Sequence, residues 1–117
     1  MNLTPDANAL TGFDALDVAL ELNRRLRPLI EKIRRHDRKE AEQLQSASQS
    51  MARNLAEGRR RLGRDRTSLW SVAAGSTDEA RTSVLLSHAA GWIDDADLAS
   101  VWSLFDRELA MTCKMTH

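Results

Sequence analysis

A chain of 117 residues, 42% hydrophobic and 29% charged, has the length and make-up of one globular domain around a single core. Its 17 basic residues cancel its 17 acidic ones, so only local segregation of charge can select a charged partner. The lone cysteine, Cys113, excludes a disulfide framework within the chain and fits a reducing, cytoplasmic setting.

The opening MNLTPDANALTG has neither the basic nor the apolar region of a secretion signal. No apolar run approaches the roughly 20 residues that cross a bilayer, so a cytoplasmic protein with no membrane partner is expected. Residues 1–11, with Pro5 and several small polar side chains, read as a flexible arm.

The first helix is predicted over 13–35, where Phe13, Leu16, Leu20, Leu26, Leu29 and Ile33 recur at helical spacing. Pro28 cannot donate to the carbonyl of Arg24 and is expected to kink that helix without ending it. The polar run 34–40 holds the break, with Asp37 placed to cap the next helix.

The second helix is predicted over 38–57 on Ala41, Leu44, Ser48, Met51 and Leu55, a seam kept small by Ala47, Ala52 and Ala56. Gly58 reads as the residue just past its end, in the left-handed conformation that costs glycine little. A third helix over 65–89 carries Leu69, Val72, Ala73, Ser76, Ala80, Val84 and Ser87 on one face. Ser76-Thr77-Asp78-Glu79 after Gly75 has the form of a helix start, yet the period passes Gly75 without a phase shift, which predicts one continuous helix. Asp94 or Asp95 caps a fourth helix, 95–110, with Leu98, Val101, Trp102, Phe105 and Leu109 inward, and residues 111–117 read as a frayed tail. Alternating apolar runs are absent, so residues 12–110 are predicted to form an all-α, antiparallel up-down-up-down four-helix bundle.

That topology segregates charge. The basic link 34–39 falls beside Asp94, Asp95 and Asp97 at one end, where the charges offset. The other end gathers Arg59, Arg60, Arg61, Arg64 and Arg66 against Glu57 and Asp65, weakened by Asp14 and Asp17 and strengthened by Lys114. Such a pole suits phosphate, and these five arginines are the candidate nucleic-acid contacts. They are equally the side chains that complement a helix C-terminus in a charged surface link.

Other chemistry has little purchase. Asn54 and Glu57, at i and i+3, read as a structural polar pair sooner than a catalytic one. His36, His88 and His117 lie on separate elements, which argues against a metal site, and Cys113 has no neighbouring base. Gly58 and Gly63 are followed by Arg-Asp, without the Lys-Ser/Thr of a phosphate loop. A non-enzymatic protein with no cofactor is expected. Trp70, beside the seam residue Leu69, is expected to point partly outward, as at a subunit contact.

The run from Ser50 to Gly58, then Gly63-Arg64, Ala73-Ala74-Gly75-Ser76 with Glu79, and Ala89-Ala90-Gly91-Trp92 resemble the four-helix-bundle proteins encoded in intervening sequences of bacterial 23S ribosomal RNA genes. The resemblance spans residues 13–109 and marks Asn54, Glu57, Gly58, Gly75, Ser76 and Glu79 as motif positions. Met51-Ala52 stands where many members have Ile-Pro, and the 59–61 run is more basic than usual. The resemblance implies a homopentamer. It also implies kinship in fold with the accessory protein of diversity-generating retroelements, which works with a reverse transcriptase and nucleic acid. Two functions are therefore expected to compete: a homo-oligomer binding RNA, DNA or a nucleoprotein at the arginine end, and an interaction scaffold whose arginines only cap helices and bridge subunits.

Overall fold

The computed structural model describes residues 11–117, so the arm expected over 1–11 lies, apart from Thr11, outside the described residues. Four helices are present among them: α1 (Asp14–Arg34), α2 (Arg38–Arg59), α3 (Gly63–Ala89) and α4 (Asp95–Thr116), with no strand. Each packs on its chain neighbours, and α4 returns to α1, closing a four-membered ring. Links of three to five residues leave no room for a crossover, so neighbours run antiparallel.

Leu22, Leu26, Leu29 and Ile33 of α1 meet Leu44, Met51 and Leu55 of α2, Val84 of α3, and Val101 and Phe105 of α4 in one core. Each such side chain contributes roughly 1.5–3 kcal/mol when fully buried. Buried side chains of α3 toward α2 are small, with Ala73, Ser76, Ala80 and Ser83 among them, while Ser48 of α2 lies beside Asn23 of α1. Ser50 Oγ and Ser76 Oγ share a hydrogen bond of 2.8 Å across the α2–α3 seam.

The helix starts divide into two kinds. Asp37 accepts the Glu40 amide at 3.0 Å to open α2. Asp94 accepts the Asp97 amide at 2.8 Å while the Asp97 carboxylate accepts the Asp94 amide at 3.1 Å, a reciprocal pair that opens α4. By contrast α1 and α3 begin at Phe13 and Leu62 with no side-chain cap. Pro28 sits exposed within an uninterrupted α1, and α3 passes through Gly75 without a break.

Two expectations are corrected. Residues 111–117 are not a frayed tail, because α4 runs to Thr116 with Thr112 fully buried and Met111 and Met115 packed on the core. Gly58 is not the left-handed residue beyond α2: it lies inside the helix, buried, and the left-handed glycine of this link is Gly63, at φ +59°. The helix runs two residues past its expected end, and Arg60 N closes it by donating to the Glu57 carbonyl at 3.1 Å.

Candidate nucleic-acid interface

The three-residue link from α2 to α3 and the starts of α1 and α3 meet at one end of the bundle. Arg59 Nη1 donates to the Thr11 carbonyl at 2.9 Å, and its guanidinium lies 5.5 Å from the centre of the Phe13 ring. Phe13 in turn packs on Trp70, with ring centres 5.7 Å apart. Arg66 lies 5.2 Å from the centre of a Trp70 ring and donates to two α2 carbonyls, Gly58 at 3.2 Å and Arg59 at 3.0 Å. The order Arg59, Phe13, Trp70, Arg66 is thus a ladder of cations and rings joining α1, α2 and α3, and Arg66 binds the last carbonyls of α2, that of Gly58 being shared with the Arg61 amide.

Trp70 reaches this position because of Gly58. A Cβ at residue 58 would stand 2.5 Å from Trp70 Cδ1 and 2.6 Å from Nε1, well inside contact. The indole N–H donates to the Leu55 carbonyl at 3.3 Å, so the ring lies along the last turn of α2. Trp70 is therefore half-buried, in keeping with the partly outward side chain expected of it, and its covered part lies on the chain's own α2.

Arg61 bridges to Glu57 at 2.8 Å, one helical turn back. Its hydrogen bond and positive charge hold the Glu57 carboxyl below the usual carboxylate range. Arg60 and Arg64 are exposed and make no hydrogen bond or ion pair among the described residues. Arg53, one turn before Glu57, is in the same condition, and with Asn54, Ala56, Glu57 and Arg60 it lines an open cleft of about 470 Å³. Sequence reasoning missed Arg53 as a site residue. Its spacing of seven from Arg60 was the available signal, since two turns return a side chain to the same face.

Asn54 and Glu57 do not form a pair. The Asn54 amide donates to the Ser50 carbonyl at 2.8 Å and to Ser50 Oγ at 3.1 Å, which joins it through Ser50 to Ser76. Gly75 is exposed with open space about it. Glu79 lines a different groove, of about 350 Å³, with Glu40, Gln43, Asp78 and Leu86. The motif positions thus fall into an α2–α3 seam and two separate surface features. No group of three His, Cys, Asp or Glu side chains is placed to hold a metal among the described residues.

At the opposite end Lys32 Nζ binds both Asp97 oxygens at 2.9 Å. Burial opposes ionisation of Asp97, but Lys32 and the Asp94 amide outweigh it and hold the carboxyl low. His88 Nε2 lies 2.7 Å from Asp95. The acidic start of α4 is therefore met by Lys32 of α1 and His88 of α3; the link 34–39 makes neither contact.

This is the antiparallel four-helix bundle class, all-α and closed by short links. No protein-family model matches the sequence, and comparison with curated proteins gives no match. A solved structure from Bacteroides thetaiotaomicron, a protein of unknown function from the S23 ribosomal protein family, aligns with a TM-score of 0.77 at 16% identity. The alignment covers 87% of this chain and 97% of that one. The chain thus has the fold of the family that its sequence motifs resemble. No helix among the described residues is long and apolar enough to cross a membrane.

Proposed function

We propose that this protein is a non-enzymatic, self-associating helical bundle that binds the phosphate backbone of RNA or DNA at its arginine end. The observation that supports this reading is the asymmetry of charge. Arg53, Arg60 and Arg64 stand exposed at one end without a hydrogen bond or ion pair among the described residues, while the exposed Arg35 and Lys39 at the other end share it with Asp94, Asp95 and Asp97, of which Lys32 pairs with Asp97. The non-enzymatic part rests on the cleft: its carboxylate is held by Arg61 and its amide N–H by Ser50, which leaves no activated base or nucleophile there.

Binding to unrelated RNA and DNA, titrated with salt, tests the reading. Alanine at Arg59, Arg60 and Arg61 together is expected to weaken binding and flatten its salt dependence by about 0.9 per lost duplex-DNA phosphate contact. Unchanged binding in that variant sinks the proposal. A second reading, an interaction scaffold without nucleic acid, is favoured by Arg66 on the α2 carbonyls and by the Arg61–Glu57 pair. On that reading the triple variant changes the oligomer's mass and neither form binds nucleic acid.

A further inference from the structure

We infer that Arg53 and Arg60, standing across the α2 cleft, grip successive phosphates of one nucleic-acid strand, and that Arg61 keeps the cleft open to that strand by holding Glu57 aside. This rests on the nucleic-acid reading above and moves its centre from the link onto the side of α2.

Three observations lead there. Arg59 and Arg66 are committed to rings and backbone carbonyls, so their positions serve the fold first. Arg53 and Arg60 have no such engagement among the described residues and flank the same cleft. Seven residues at about 1.5 Å rise separate them by roughly 10 Å along the helix, and seven steps of about 100° bring them back to one face. Two guanidiniums so placed suit a chain of phosphates better than one isolated phosphate.

Glu57 lies between them and would repel a strand if left alone. Arg61 approaches it from beyond the helix end at 2.8 Å, so the pair is close to neutral toward a ligand. Arg66 does the same for the carbonyl of Arg59, and adds a second donor to that of Gly58, at the negative end of α2. Both engaged arginines thus remove negative charge from the approach to the two unengaged ones.

Labelled RNA and DNA oligonucleotides, duplex and single-stranded, are titrated at several salt concentrations, with inorganic phosphate and an acidic peptide as competitors. R53A/R60A is expected to lower the slope of log K against log salt by about 1.8 for duplex DNA, two contacts' worth. Neither side chain makes a hydrogen bond or ion pair among the described residues, and Arg60 acts on Glu57 only through its charge, so the variant should keep the wild-type fold. R61A is expected to weaken binding by exposing Glu57. R61A/E57Q should restore it, and R61A/D65N, of equal net charge, should not.

A wild-type slope in R53A/R60A, with binding lost in R59A/R64A, would overturn this inference and leave the nucleic-acid reading standing. Equal rescue by D65N and E57Q would overturn the role given to Arg61. Displacement by inorganic phosphate as effective, per phosphate, as by an oligonucleotide would overturn the strand. Wild-type protein that binds no nucleic acid but captures the acidic peptide would overturn the inference and the reading beneath it together.

Discussion

Glu108 is fully buried on α4, and neither carboxylate oxygen has a hydrogen-bond partner among the described residues. Burial pushes its carboxyl up to about 8, with Arg107 opposing only weakly. An unfolded chain returns the group to its ordinary value of 4.5. Between those two values the folded state holds a proton that the unfolded state has lost, so stability falls as pH rises, by up to about 1.4 kcal/mol per pH unit. The loss is complete above about pH 8 and absent below about pH 4.5. Urea denaturation at pH 5, 6, 7 and 8 should show this decline, and Glu108→Gln should remove most of it while raising stability at the alkaline end. A flat profile in the wild type would mean that Glu108 finds a partner in solution. The carboxyls of Glu21, Glu57 and Asp97 are held low, so their effect belongs to more acid pH and cannot mask the test.

At the scale of elements, the α2–α3 junction depends on Gly58 making room for an indole. Alanine there should gain about 1 kcal/mol from helix propensity, since φ is not positive and the residue is helical. The overlap with Trp70 decides the sign, because that ring is held by Leu55, Phe13 and Arg66 and cannot swing freely. Gly58→Ala is expected to destabilise by about 1–3 kcal/mol in chemical denaturation, and to become neutral or stabilising in a Trp70→Ala background. Equal effects in both backgrounds would mean that the indole does not set the requirement.

The same junction shows what a sequence can carry. Asp37 is legible as a cap because the cap and its amide lie three residues apart, and helical periods through α1, α2 and α4 fix the fold class. The passage of α3 through Gly75 was legible for the same reason: phase is a local property. Gly58 was misread because its constraint comes from Trp70, twelve positions on and across a link. Residues 111–116 were misread because Thr112, a polar residue, is one of those that face inward. The five arginines look equivalent in a string, and only their neighbours in space separate the engaged from the free.

At the scale of the molecule, the exposed large apolar side chains among the described residues are Leu62, Val72, Leu85 and Leu86, all on α3 or the link before it. Val72, Gly75, Glu79 and Leu86 fall along one outer line of α3, flat where Gly75 has no side chain. Val72 and Leu86 stand about 21 Å apart on that line with Glu79 between them, and they are the side chains on which the self-association proposed above is tested. Light scattering on the wild type should give a multiple of 13.1 kDa, five-fold if the resemblance holds for stoichiometry. V72E/L86E should shift the mass toward the single chain; an unchanged multiple would place the contact on another face.

The buried acid on α4 also alters what the protein carries into any encounter. Seventeen basic and seventeen acidic residues suggest a neutral particle with an isoelectric point near 6.8. With Glu108 holding its proton, the folded chain at neutral pH carries less negative charge than that sum implies. Folding thus changes the charge of the chain by up to one proton, taken up at a buried site far from any surface arginine's own titration.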